Sequence, residues 1–291
     1  MQPEENFCAA LLAYGNGDFA TAAREAQTAL KQLPDNRVFA EAVKYLNRVR
    51  HEGKSNVYVS PEAFGAFIRA GGNVLLYENT SAALKHIYQQ YDSLSLLDIG
   101  TGDGLALLPA LTPNIRHLDV LEPSLAMLNK ASDALNRRNI DHRAINATIQ
   151  QFMLASPGRY DVIQSTYALQ SINPDERSQI LAWLKRHTNR LLIAEFDAPD
   201  FKDMHDLRRV RYFMQQYEHG LAEYAGDGGL VAQGFLMPVF FGGFDPSEAR
   251  VNWEMPVAEW VVQLRAAGFT DIRTELIHRY WWAPAFLIDA R

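Results

Sequence analysis

Three glycines at alternate positions, Gly100, Gly102 and Gly104, interrupt an apolar run in the stretch SLLDIGTGDGLALLPAL (residues 95–111), with Asp98 ahead of them and Asp103 between the last two. A strand that turns into a helix through such a loop delivers backbone N–H groups and the positive end of a helix dipole to one point. Glycine lets a ligand lie there against bare backbone. A dinucleotide loop takes G-x-G-x-x-G; here the third glycine comes one residue early, and Asp103 would repel a pyrophosphate. Two carboxylates around the turn suit a ligand that carries an amino group, although both could be capping acids. Glu122 ends a second apolar run (HLDVLEPS), 24 residues after Asp98. An acid at that point of a Rossmann-type sheet accepts both hydroxyls of a ribose; the alternative is a solvated strand end.

Such a loop needs a parallel sheet beneath it. Strands are expected at 95–99, 117–121, 142–146, 160–164, 190–196, 270–277 and 284–289. Helices are expected near 104–111, 124–137, 149–154, 174–187 and 256–267. The alternation implies an α/β fold, a mostly parallel seven-stranded sheet covered by helices on both faces. The connection between the last two strands is too short for a helix, so that pair is expected to be antiparallel. Residues 1–90 read as an N-terminal helical hairpin and cap, with a Gly-Asn-Gly-Asp turn at 15–18 and a stop at Pro34. The hairpin resembles one tetratricopeptide unit, but a solenoid needs about three. Ser60-Pro61-Glu62 starts a further helix, Gly71-Gly72 breaks it, and Thr80 or Ser81 is expected to cap the next. Residues 91–291 read as one domain with a lid insert at about 198–255. The Gly-Gly pairs at 228–229 and 242–243 look like hinges, and with residues 56–90 the insert is expected to close over the ligand.

Composition narrows the partners. A hydrophobic content of 48% is ordinary for a globular chain, and a net charge of −6 argues against nucleic acid. The short basic runs Arg137-Arg138 and Arg208-Arg209-Val210-Arg211 read as solvated helix faces. The single cysteine, Cys8, excludes an internal disulfide, and no Cys/His spacing resembles a zinc site, so no metal is expected. No apolar stretch reaches the ~18 residues that a membrane span needs, and the acidic start MQPEEN shows no signal peptide. The expectation is a cytoplasmic protein that acts on a small molecule, with neither nucleic acid nor membrane as partner. A homodimer through the N-terminal helices or the lid stays open.

An amino-acid tail at the loop, a ribose at Glu122 and a strand between them describe S-adenosylmethionine. At these residues the chain resembles the class I S-adenosylmethionine-dependent methyltransferases. The motifs LLDIGTGDG, DVLEPS, YDVIQSTYALQSI and LRAAGFTDI carry the resemblance, over about 94–197 and, by strand order, 256–291. It implies a Rossmann-like methyltransferase fold, S-adenosylmethionine as cofactor and methyl transfer to a small metabolite of natural-product type, with a place in biosynthesis. Asp98 and the backbone of Gly100, Thr101, Gly102 and Gly104 would then hold the methionine moiety, and Glu122, followed by Pro123, the ribose diol. Where the family often meets adenine with an aspartate, INATIQQF offers Thr148 and Ile149; Thr148 reads equally well as a helix cap. Gln164 and Ser165 would border the sulfonium, and Tyr77 would close over the cofactor or pack in the core.

Tyr167 and Gln170 follow on the substrate face. If the acceptor must lose a proton, His219 is the first choice of base, since imidazole titrates near neutral pH, with His205, Tyr212 and His278 after it. The aromatics of the insert (Phe213, Tyr217, Tyr224, Phe235, Phe240, Phe241, Phe244) and Tyr280-Trp281-Trp282 either wall a pocket for an aromatic or apolar acceptor or form core. Among these segments Tyr212, Phe240 and Trp282 are taken as substrate contacts. The rival reading is a fold relative that binds the cofactor without methyl transfer, as a cyclase or an interaction subunit. An NAD-dependent oxidoreductase is disfavoured by the glycine spacing.

Overall fold

The computed structural model describes residues 2–54, 60–155 and 158–291, so residues 56–59 of the expected closing segment lie outside the described residues. The described chain opens with helices α1 (Pro3–Gly15), α2 (Phe19–Gln32), α3 (Arg37–Glu52), α4 (Pro61–Ile68) and α5 (Gly72–Tyr88). Strands and helices then alternate: β1 (Leu94–Ile99), α6 (Leu107–Ala110), β2 (Ile115–Leu121), α7 (Leu125–Arg137), β3 (Arg143–Ile145), α8 (Ile149–Leu154), β4 (Tyr160–Thr166), α9 (Pro174–His187) and β5 (Thr188–Phe196). A second helical stretch holds α10 (Leu207–Glu223) and α11 (Met237–Gly242), with a π-helical turn at Ala232–Leu236. The chain closes with α12 (Val257–Ala266), β6 (Ile272–Arg279) and β7 (Pro284–Ala290).

Two compact units result, residues 1–74 with 201–250 and residues 75–200 with 251–291. The boundary read from sequence at residue 90 therefore moves to 74/75, and most of the insert folds with the N-terminal helices.

In the second unit, seven strands of the described residues form one sheet in the order β3-β2-β1-β4-β5-β7-β6. Strands β1 to β5 are parallel, and β7 runs antiparallel to both neighbours, as the short final connection requires. The central strands β1, β4 and β5 are apolar on both sides over most of their length because both sides are covered, while the edge strands β3 and β6 are largely exposed. Leu97, Ile99, Ile163, Leu191 and Ile193 pack with Trp183 of α9 and Trp260 of α12. Leu96, Val120, Val162 and Leu192 pack with Leu84 and Tyr88 of α5 and Leu128 of α7. Thr80 and Ser81 do not cap a helix: they sit inside α5, which starts at Gly72. Thr80 Oγ1 donates to the Leu76 carbonyl (2.7 Å) and Ser81 Oγ to that of Ala106 (2.8 Å), so both hydroxyls are satisfied within the fold.

The helical unit is organised by side-chain caps and a ring-rich core. Asp18, Asn36 and Ser60 cap α2, α3 and α4, accepting from the N–H groups of Thr21, Phe39 and Ala63. Phe240, expected to contact substrate, is instead fully buried, with ring centroids 5.9 Å from Phe7 and 4.8 Å from Tyr217. Phe241 stacks on Tyr45 at 4.9 Å, and Phe244 is equally buried. The glycine breaks at 228–229 and 242–243 give these rings the look of an exposed loop in sequence. The π-helical turn and α11 carry them instead onto α1 and α3, where burial removes them from water.

Candidate functional site

The glycine loop leaves β1 at Ile99 and bends over β2: the N–H groups of Gly100 and Thr101 both donate to the Leu121 carbonyl, at 2.8 and 3.2 Å. Its glycines do different work. A Cβ on Gly100 would stand 2.4 Å from that of Ala168, so Gly100 is required by packing. Gly102 is left-handed (φ +58°), and a Cβ there would meet no atom within 4 Å. It presents bare backbone to open space, which is the geometry of a ligand cradle.

Glu122 ties the cradle together. Its Oε2 accepts from Gly102 N–H at 3.0 Å and its Oε1 from Ser124 N–H at 2.8 Å, joining the loop to the start of α7. Pro123 follows it, exposed. Asn146 Nδ2 donates to the carbonyls of Glu122 and Pro123 (3.0 and 2.9 Å), a contribution that the sequence did not signal.

Asp98 lies beside the loop, 1% exposed. Gln164 stands opposite it in the β1–β4 register and donates from Nε2 to Asp98 Oδ1 at 3.0 Å. Burial pushes the Asp98 carboxyl up to about 6, against the opposing pull of hydrogen bonds from Gln164 and Thr101. Gln164 Oε1 in turn accepts from the Tyr88 hydroxyl. Gln164 is thus wholly buried with its carbonyl and one amide hydrogen engaged by the fold, and Ser165, also buried, donates to the Ile99 carbonyl. Both therefore shape the site from behind. Thr148 caps α8, accepting from Gln151 N–H at 3.2 Å, while Ile149 is buried in the core.

At the carboxyl ends of β4 and β5 stands a run of rings. Tyr77 meets Tyr167 edge-on at 5.8 Å, Tyr167 stacks on Phe196 at 4.9 Å, and Phe196 stacks on Tyr280 at 5.4 Å. Tyr167 has φ +54°, a strained conformation for a residue with a Cβ, and its hydroxyl hydrogen-bonds Thr80 Oγ1 at 2.7 Å. Beside it, Gln170 N–H donates to Glu195 Oε1 at 3.1 Å. Glu195 is 1% exposed, and its Oε2 and Gln170 Oε1 are both buried without a hydrogen-bond partner among the described residues. Burial and the charge of Glu254 push Glu195 up to about 8, against the Gln170 N–H and Arg177. Trp282 Nε1 donates to both oxygens of Glu254 at 3.0 Å. Sequence reasoning missed Tyr88, Asn146 and Glu195. Only Glu195 left a sign, an acid inside an otherwise apolar strand.

His219 and Tyr212 belong to the helical unit, both on α10. His219 is exposed in an open groove with Glu4, Asn36 and Glu218, and Tyr212 lies against Phe201 at 5.9 Å. His205 is in the same unit, ahead of α10, and His278 sits on β6 with Asn79 at 3.3 Å. Among the described residues no helix is long and apolar enough to cross a membrane.

A family defined as a methyltransferase domain matches residues 36–227, more than half of the chain. The chain belongs to this methyltransferase family. Magnesium protoporphyrin IX methyltransferase from Synechocystis PCC 6803, solved with S-adenosylhomocysteine, superposes with a TM-score of 0.50 at 16% identity, covering 88% of this chain and 94% of that one. The 1,6-didemethyltoxoflavin N1-methyltransferase of Burkholderia thailandensis, solved with its substrate and S-adenosylhomocysteine, gives 0.49 at 16% identity over 87% of each chain. No curated protein matches. The sheet order and the first of these likenesses make the fold that of a class I methyltransferase, an α/β Rossmann-like sheet with an antiparallel last strand.

Proposed function

We propose that this enzyme transfers a methyl group from S-adenosylmethionine to a small aromatic or apolar metabolite. The observation that carries the reading is Gly102, left-handed, open on its Cβ side and held by Glu122. An S-adenosyl ligand fits these residues. Glu122 spends two of its roughly four acceptor positions on N–H groups, leaving the others for ribose hydroxyls. Asp98 supplies the counter-charge for the ligand's ammonium, and an ammonium beside it restores the charged form that burial disfavours. Thr148 and Ile149 border the adenine.

When bound, the cofactor supplies a methyl group already activated on a sulfonium. The chain's task is then to align acceptor and donor, an effect of about 7–11 kcal/mol. The run Tyr77, Tyr167, Phe196 and Tyr280 offers flat apolar surface to an aromatic acceptor, while Gln170 and Trp282 bracket its polar edge. Burial raises the Tyr167 phenol far above its ordinary range, so Tyr167 serves as wall and hydrogen-bond partner and keeps its proton.

Calorimetric titration with S-adenosylhomocysteine tests the cofactor, and incubation with methyl-labelled cofactor and pooled aromatic metabolites tests the transfer. Saturable one-to-one binding and a labelled product are expected. Absence of binding by the folded protein overturns the cradle, and binding with label transferred only to polar, non-aromatic acceptors overturns the substrate class.

A further inference from the structure

Tyr88 is fully buried at the end of α5, and Gln164 and Asp98 form the next two links of a chain that ends at the cofactor loop. We propose that Tyr88 is a positioning residue: by giving its proton to Gln164 Oε1 it turns the Gln164 amide so that Nε2 faces Asp98, which keeps Asp98 an acceptor for the cofactor's ammonium. The inference rests on the reading of Asp98 made above.

The logic is one of hydrogen counting. A primary amide has one end that only accepts and one that only donates. A buried phenol O–H must find an acceptor, and among the described residues the hydrogen-bond partner of the Tyr88 hydroxyl is Gln164 Oε1. That contact fixes which end of the amide is left for Asp98, and a donor there stabilises the ionised carboxylate more than the protonated acid, whose carbonyl oxygen is the weaker acceptor. With the amide reversed, Oε1 would face Asp98 and would demand a proton on it. Tyr88 always has the proton to give, because burial and the charge of Asp98 hold its phenol well above the ordinary range. Around Asp98, Glu122 at the end of β2 opposes ionisation by its charge, while Thr101 and Gln164 favour it. Removing the Tyr88 hydroxyl leaves Gln164 free to adopt either orientation, so the balance shifts toward protonated Asp98.

The test is Tyr88→Phe, which keeps the ring, with Gln164→Met as a second variant. Carbon-13 NMR of the ligand-free protein follows the Asp98 carboxyl against pH. Its midpoint should rise by about one unit in Gln164→Met, the size expected on losing one hydrogen bond to a charged group, and by a smaller but resolvable amount in Tyr88→Phe, where Gln164 can still turn its donor to Asp98; an unchanged midpoint in folded Tyr88→Phe overturns the proposal. Titration with S-adenosylhomocysteine should show affinity falling at a higher pH in Tyr88→Phe and meeting the wild-type value above pH ~8. A uniform loss at every pH marks a packing role and also overturns it. If Asp98→Asn binds S-adenosylhomocysteine as the wild type does, the ammonium assignment of Asp98 fails, whatever the NMR midpoints show.

Discussion

The interiors of the two units are made of different material. In the helical unit the buried bulk is rings: Phe7, Phe39, Tyr45, Phe240, Phe241 and Phe244. Its buried acid, Asp245, has Lys54 on it; burial raises its carboxyl, but Lys54 and Ser247 outweigh that and hold it below the usual range. The sheet unit also has a core of Leu, Ile and Val, yet at the carboxyl ends of its strands it buries Asp98 beside neutral donors and Glu195 with only the charge of Arg177 to favour ionisation besides backbone N–H groups, and both are pushed up. A buried acid without a cation on it costs stability. Such an acid is a natural place for a ligand or a reaction to act, and both lie in the sheet unit, which also pairs a third buried acid, Asp119, with Arg143.

That contrast breaks most sharply in the glycine loop. Gly102→Val should abolish S-adenosylhomocysteine binding because its side chain fills the open cradle, and the strain of a β-branched residue at φ +58° should also lower stability, with far-UV circular dichroism showing that the fold persists. Gly100→Ala should lower stability through its collision with Ala168, so a folded Gly102→Val that binds normally would remove the loop from the site. Phe240→Ala should cost about 3–5 kcal/mol in chemical denaturation, typical of an excavated ring, and leave cofactor affinity unchanged. A selective loss of affinity without loss of stability would place Phe240 back among functional residues.

Glu122→Ala should weaken cofactor binding by about 1.5–3 kcal/mol, some 10- to 150-fold in calorimetry. A change below threefold would leave Glu122 as a loop tether only. The smallest effect is set by pH. Glu195 is raised from 4.5 to about 8 on folding, so the folded state holds its proton more tightly and stability falls as pH climbs through that window. Glu195→Gln escapes this cost and also offers a donor where Oε2 and Gln170 Oε1 lack one. Its melting temperature should exceed wild type at pH 9, by about 2–4 °C for each kcal/mol relieved, with no gain at pH 4. An equal gain at both pH values would mean that Glu195 does not titrate there.

The sheet was legible because two-faced apolar strands and glycine turns are local signals; each expected strand appears within a few residues of its place. The positions of the loop, Asp98 and Glu122 at the ends of β1 and β2 were legible for the same reason. What was not legible depends on contacts between distant segments. Phe240 looked exposed because its burial is supplied by Phe7, more than two hundred positions earlier. Tyr88 looked like one more apolar helix residue, since only the pairing of β1 with β4 brings Gln164 between it and Asp98. Thr80 looked like a cap because threonine inside a helix is disfavoured, yet its hydroxyl is used by Leu76 and Tyr167.

The discontinuity of the helical unit also has a consequence for how the protein is made. Residues 1–74 leave the ribosome before 201–250, so the rings that complete their core, at positions 240 and 241, follow only after β1 to β5 have been translated. At about 5–20 residues per second that gap lasts roughly 10–30 s, far longer than helices take to form. During that interval Phe7 of α1 and Tyr45 of α3 lack the ring contacts that α11 supplies in the folded unit. The nascent chain therefore passes through a window in which rings of the helical unit wait for the segment that covers them, so yield in the cell should respond to translation speed and chaperone supply.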